Sequence, residues 1–222
     1  MIKTIYSWFH RISSRPQERG EYSSGHWQDL IRKSALDFCR KKEGCLLEIG
    51  CGEGLFIRQL AKINPRLAIW GVDNSEDRLD RASLKAQEEG INGLKLSFQQ
   101  APELKFENDY FDVVVCINVF FNMHSLEMVK QTLYQMKRVS SNSASLIFDF
   151  RNSHNLLLRV KYGLAKYYDP SVSDLPLKTY SPKLIKRILK ELDLTVVKQR
   201  PLGFSLFGLA PIIIIEAKKH AG

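Results

Sequence analysis

No apolar run in this chain of 222 residues approaches the roughly 18 residues that a membrane-spanning helix needs. The longest candidate, residues 204–215, is broken by Gly208 and Pro211 and reads as a loop feeding a buried strand. The N-terminus mixes apolar and basic residues without a long apolar h-region or a small-residue cleavage site, so no secretory leader is expected. Cysteine is sparse. Cys39, Cys45, Cys51 and Cys116 form neither a C-x-x-C pair nor a metal-ligand cluster with histidine, so no metal is expected. Free buried thiols in a reducing cytoplasm are the preferred reading. Internal repeats and low-complexity tracts are missing too. What is present is a hydrophobic content of 44%, enough for a real core, on a length that suits one α/β domain with a short extension.

The net charge of +9 is unevenly spread. Residues 1–44 hold nine basic against five acidic side chains, residues 45–150 eleven against fourteen, and residues 151–200 eleven against four. A slightly acidic middle between basic flanks can attract an anionic partner, although a solvated, solubilising surface accounts for it equally well.

The most informative segment is Leu46-Leu47-Glu48-Ile49-Gly50-Cys51-Gly52-Glu53-Gly54. An apolar run ends in an acid and then a glycine turn, and Leu55 to Lys62 reads as a helix. Strand, glycine turn and helix make the first βα unit of a nucleotide-binding α/β fold. A second run, Leu67 to Val72, ends in Asp73. A carboxylate about 20 residues past the glycine turn, at the tip of the second strand, can accept from both hydroxyls of a ribose. Asp73 could instead cap the helix that starts near Ser75 or Glu76. The glycines are spaced G-x-G-x-G rather than in the dinucleotide pattern, and residues 45–55 contain no Lys or Arg.

At this point the chain resembles the class I S-adenosylmethionine-dependent methyltransferases. The matching segments are Leu47 to Gly54, Gly71 to Ser75, Phe98 to Phe106 and Phe111 to Cys116, in the family's order and spacing. The resemblance is specific between Cys45 and Phe120 and general from there to about Ala217. It implies S-adenosyl-L-methionine as cofactor. Gly50, Cys51, Gly52 and Gly54 would form the turn under the methionine portion, and Asp73 would hold the ribose with Asn74 and Ser75 beside it. Gln100 and Ala101 would meet the adenine edge, and Cys116, Ile117 and Asn118 would lie near the methyl group. A carboxylate at Glu48 suits an ammonium group and would repel a pyrophosphate. Two departures stand out. Gln100 replaces the family's usual Asp, and Phe121-Asn122 stands where many relatives carry a His pair.

The resemblance and the alternation together imply an α/β, Rossmann-like fold: a seven-stranded, mostly parallel sheet with helices on both faces and an antiparallel edge strand. Strands are expected near 45–49, 68–72, 94–98, 112–117, 144–149, 194–200 and 211–217. Helices are expected near 26–40, 54–62, 76–89, 126–138 and 182–191. Residues 1–44 read as an N-terminal arm and lid helix, with Tyr22, His26 and Trp27 as candidate lid residues. Residues 45–222 read as the methyltransferase domain, with a substrate-cap insertion at about 151–180. That insertion carries Leu156-Leu157-Leu158, Val160, Tyr162, Leu164, Tyr167 and Tyr168 among Arg159, Lys161 and Lys166. It suits an acceptor with a hydrophobic body and an anionic group, or simple packing on the sheet.

The expected activity is in-line methyl transfer to a small molecule: a metabolite, lipid-like or sugar-containing acceptor. His124, Asp149 and Tyr168 are base candidates, and none is assigned. No N-P-P-Y-type motif follows the fourth strand, so nucleic acid is not the expected partner. The alternatives are an RNA or protein methyltransferase and a non-catalytic cofactor-binding regulatory subunit. Ile5, Tyr6, Trp8 and Phe9 beside Lys3 and Arg11 suit peripheral membrane contact.

Overall fold

A computed structural model describes residues 26–168, 175–203 and 209–219. The chain opens with α1 (His26–Cys39) and then alternates strand and helix: β1 (Gly44–Ile49), α2 (Leu55–Ile63), β2 (Leu67–Asp73), α3 (Glu76–Glu88), β3 (Lys95–Phe98) and β4 (Phe111–Cys116). A 3₁₀ turn at Phe120–Asn122 leads to α4 (Leu126–Val139), β5 (Ser140–Arg151), α5 (Leu156–Tyr168), α6 (Pro182–Glu191), β6 (Leu194–Leu202) and β7 (Ile212–Lys219). The seven strands form one sheet in the order β3-β2-β1-β4-β5-β7-β6. β1 to β5 are parallel neighbours, whereas β7 runs antiparallel to both β5 and β6. The expected antiparallel pairing therefore lies at this side of the sheet, with β7 one place in from the edge.

Local chemistry sets the boundaries. Ser75, Ser125 and Ser181 cap α3, α4 and α6, each hydroxyl accepting from the backbone N–H three residues on. Pro182 starts α6, where a missing N–H costs nothing. The central strands are buried on both faces, which explains their near-continuous apolar runs. One face packs against α4 and α6 through Val129, Leu133, Met136, Ile185 and Ile188. The other packs against α1, α2 and α3 through Ile31, Phe38, Phe56, Ile57 and Leu79. β5 is longer than the run 144–149 predicts, because Ser140 already pairs with Phe111 before a register shift.

The strand order reverses between β1 and β4, and the loops leaving both strands meet there. This is the crevice where open α/β sheets bind ligands. Among the described residues no helix is long and apolar enough to cross a membrane. The arm Met1 to Gly25, including Tyr22 and the aromatic segment around Trp8, lies outside the described residues.

Candidate functional site

The loop after β1 is tied down before it turns. Gly50 and Cys51 both donate their N–H groups to the carbonyl of Val72, at 2.8 and 3.0 Å. Gly50 has φ 75°, and a Cβ there would stand 2.5 Å from Cγ2 of Val119. Gly52 has φ 53°, yet an added Cβ would meet nothing within 4 Å. At Gly50 the glycine answers to packing. At Gly52 it answers to backbone conformation alone and leaves open space beside the loop.

That space belongs to a cavity of about 310 Å³, at the small end of ligand pockets. It brings together Glu48, Gly50, Cys51, Gly52, Asp73, Asn74, Gln100, Ala101 and Asn118 from four different strand ends. Gly54 and Cys116 do not line it. Gly54 sits behind the turn as the left-handed N-cap of α2, packed on Ala82. Cys116 is fully buried in the core on the α4 face.

Asp73 is 4% exposed. Its Oδ2 accepts the Gly52 N–H at 2.8 Å, and Nη1 of Arg78 lies 3.4 Å from its Oδ1. Helix α3 takes its cap from Ser75 instead, so Asp73 is not a capping residue. A carboxylate has about four acceptor positions. The two named contacts leave capacity on both oxygens for a pair of hydroxyls.

Glu48 is 3% exposed, and its Oε2 has no hydrogen-bond partner. Burial holds its carboxyl well above the ordinary carboxylate range, the nearby Asp73 charge adds to this, and Arg32 opposes it. A buried acceptor without a donor is costly. A cationic donor entering the cavity would satisfy it. The amino-acid end of S-adenosylmethionine has that character, so the donor set fits the cofactor. Burial likewise pushes the Cys51 and Cys116 thiols up, so neither is a ready thiolate.

The Gln100 side chain is exposed at the rim, whereas the neighbouring Gln99 is occupied, donating to Ser97 Oγ at 3.0 Å and accepting the Lys105 N–H at 2.8 Å. Val119, Met123, Met128 and Leu175 add apolar surface to the wall. Asn122 adds a buried Oδ1 without a partner.

Beside the cavity, at the ends of β4 and β5, lies a buried ion pair. Arg151 Nη1 is 2.5 Å from Asp149 Oδ2, and both side chains are almost wholly buried. Asp149 Oδ1 accepts the Asn118 N–H at 2.6 Å, and Arg151 Nη2 donates to Asn118 Oδ1 at 3.1 Å. Asn118 is thereby held at φ 58°. Arg151 Nε donates to the Tyr162 hydroxyl at 3.1 Å, and its guanidinium lies 4.4 Å above the Phe121 ring. With both oxygens engaged, Asp149 is a structural anion and not an accessible base. His124 is exposed at the cavity wall, and the Tyr168 side chain lies outside the described residues.

The expected lid differs in detail. Helix α1 contributes Arg32 to the cavity, whereas His26 and Trp27 do not line it. Trp27 packs on the core, with Lys161 Nζ 3.9 Å from its ring centre. Sequence reasoning missed Arg32, Arg78 and Arg151, and only the position of Arg78 on the first turn after Asp73 could have signalled its pairing. Among the described residues no group of three or more His, Cys, Asp or Glu could hold a metal ion.

Residues 46–142 match the family described as "Methyltransferase domain". Phosphatidylethanolamine N-methyltransferase from Cereibacter sphaeroides is 27% identical over 186 residues, covering 82% of this chain and 86% of that protein. Among solved structures, the PH0226 protein from Pyrococcus horikoshii OT3 superposes with a TM-score of 0.71 at 20% identity, covering 96% of this chain and 98% of its own. Magnesium protoporphyrin IX methyltransferase from Synechocystis PCC 6803, solved with bound SAH, gives 0.70 at 18% identity, covering 97% and 94%. These last two likenesses concern the fold. A methyltransferase-domain match over the glycine turn and Asp73, on this strand order, supports a class I S-adenosylmethionine-dependent methyltransferase with S-adenosyl-L-methionine as its cofactor.

Proposed function

We propose that this methyltransferase acts on a small-molecule acceptor with a hydrophobic body. The observation that carries the reading is the mixed lining of the cavity. The ends of β1 and β2 and the loops after β1 and β3 bring Glu48, the glycine turn, Asp73 and Gln100, and the segment after β4 brings the apolar Val119, Met123 and Met128, with Leu175 also in the lining. A cofactor with an amino-acid tail and a ribose suits the first group, and a lipid-like acceptor suits the second. The resemblance to a phosphatidylethanolamine N-methyltransferase supports the same class.

In this reading Glu48 faces the cofactor's ammonium, and Gly50 and Gly52 pass under the methionine portion. Asp73 accepts from the ribose hydroxyls with Asn74 beside it, and Gln100 and Ala101 meet the adenine. The carbonyl of Gln100 can accept from an amino group, though less strongly than a carboxylate would. Gly54 and Cys116 support this set from behind. When bound, the cofactor supplies a methyl group on a positively charged sulfur. The protein's task is then to orient the two partners and exclude water. Asn118, locked by Asp149 and Arg151, gives the reacting region a rigid wall. Asn122 Oδ1 is available to accept from an N–H or O–H on the acceptor. Where a proton must leave, His124 at the mouth is the candidate to take it.

We place residues 1–44 as arm and lid and residues 45–222 as the catalytic domain, with the cap at about 151–180. The unpaired thiols Cys39, Cys45, Cys51 and Cys116 support a cytoplasmic setting.

The deciding experiment follows labelled methyl from S-adenosylmethionine into lipid, metabolite, RNA and protein fractions of a host lysate, with Asp73→Ala as control. Label in the lipid or metabolite fraction that vanishes with the variant is expected. Label confined to RNA or protein would overturn the acceptor class.

A further inference from the structure

Helix α5 leaves a large apolar face uncovered. Leu156, Leu157, Val160 and Leu164 are 69%, 59%, 59% and 52% exposed. With 3.6 residues per turn these four side chains fall within an arc of about 100°. The opposite side is anchored. Leu158 is 1% exposed, and Tyr162 packs with Phe121, Leu175 and Leu177 while its hydroxyl accepts from Arg151. Arg159 and Lys161, both exposed, flank the apolar arc on its two sides, the Lys161 ammonium lying 3.9 Å from the Trp27 ring centre. No acidic residue occurs in Leu156–Tyr168. An anchored inner face, an apolar outer face and cations along both margins match a helix lying in a lipid interface.

The charges discriminate between occupants. The chain's own first twelve residues include Lys3 and Arg11 and no acid, so that segment would bring like charge against Arg159 and Lys161. A second copy docked through the same face would also set cation against cation. An anionic phospholipid surface complements both the apolar arc and its rim. The surface is also well placed, because Leu175 belongs both to the cluster beneath α5 and to the cavity wall. We infer that α5 docks this protein onto anionic phospholipid bilayers, with Leu156, Leu157, Val160 and Leu164 entering the interface and Arg159 meeting the headgroups.

This surface stands whatever the methyl acceptor is, so its test reads binding and not activity. The full chain is sedimented with vesicles of phosphatidylcholine alone and of phosphatidylcholine mixed with phosphatidylglycerol. Binding to the mixed vesicles that weakens with salt is expected. The double variant Leu157→Glu/Val160→Glu should lower that affinity about tenfold or more, with its thermal midpoint and S-adenosylhomocysteine affinity unchanged. Arg159→Glu should weaken binding to the mixed vesicles selectively. Equal sedimentation of the double variant and the parent chain would overturn the inference. So would binding that depends only on residues 1–12. A dimer seen by sedimentation velocity that the double variant dissolves, with no vesicle binding, would put a second copy on this face instead.

Discussion

The backbone N–H of Gly52 donates to Oδ2 of Asp73 across 2.8 Å, joining the loop after β1 to the tip of β2. This bond ties the conformation of the glycine turn to the residue proposed to hold the ribose. Asp73→Asn can keep an acceptor for Gly52 but replaces the other oxygen with a donor. Hydrogen bonds to charged groups are worth about 1.5–3 kcal/mol. The variant should therefore bind S-adenosylhomocysteine roughly ten- to a hundredfold more weakly by calorimetry. Its thermal midpoint should stay close to that of the parent chain. Unchanged affinity would remove Asp73 from the cofactor site.

Glu48 yields a pH prediction with a definite sign. Its carboxyl is raised in the fold, mainly by burial, so the folded state holds its proton more tightly than the unfolded chain does. Its stabilising contribution is full below the ordinary value of 4.5 and is lost as pH rises through the folded value. Without cofactor, Glu48→Gln should melt at the same or a higher temperature than the parent chain at neutral pH. Its affinity for the cofactor should fall by about tenfold or more, because a neutral amide cannot match an ammonium. Parent-chain binding should also release a proton, seen as buffer-dependent calorimetric heats. A variant that melts lower at neutral pH would show that Glu48 is ionised and stabilising in the empty protein.

Much of this arrangement was legible in the sequence, for identifiable reasons. The glycine turn and the acid at the tip of β2 are local features, so sequence spacing exposes them. The roles of Arg32, Arg78 and Arg151 are not local. Arg32 comes to Glu48 from α1, and Arg151 reaches Asn118 across neighbouring strands. Cys116 was read as close to the methyl group, yet its side chain enters the core. Alternation along β4 decides that, and Val113 to Cys116 is apolar on both faces, so the run gives no parity signal. The outward face of α5 was equally hidden, because the same leucines fit packing on the sheet.

The Asp149–Arg151 pair lends itself to a double-variant test. Removing one partner of a buried ion pair leaves the other uncompensated, at a cost of about 3–5 kcal/mol. Asp149→Ala should lose stability of that size in denaturant titrations. It should also release Asn118 from φ 58°, since the acceptor for its N–H is gone. Replacing both partners, as Asp149→Leu/Arg151→Met, should recover a large part of the stability, because no buried charge remains. Methyl transfer should stay impaired in the double variant if Asn118 is part of the reacting wall. Full activity in that variant would reduce the network to a packing role.

The two central glycines of the turn separate steric from conformational requirements. Gly50→Ala puts a Cβ 2.5 Å from Val119 Cγ2 and also forces an L-residue into φ 75°. Gly52→Ala meets nothing within 4 Å and carries only the left-handed penalty, about 1–2 kcal/mol. Gly50→Ala should therefore be the more destabilising of the two by thermal melting. Val119→Ala should relieve part of that loss and none of the loss in Gly52→Ala. Cofactor affinity should rank differently. The space beside Gly52 adjoins the cavity, so its added methyl intrudes where a ligand would approach, and Gly52→Ala should weaken S-adenosylhomocysteine binding more than its small stability loss predicts. Equal affinity for Gly52→Ala and the parent chain would mean that the ligand does not come close to this backbone, and the placement of the methionine portion over the turn would have to be abandoned.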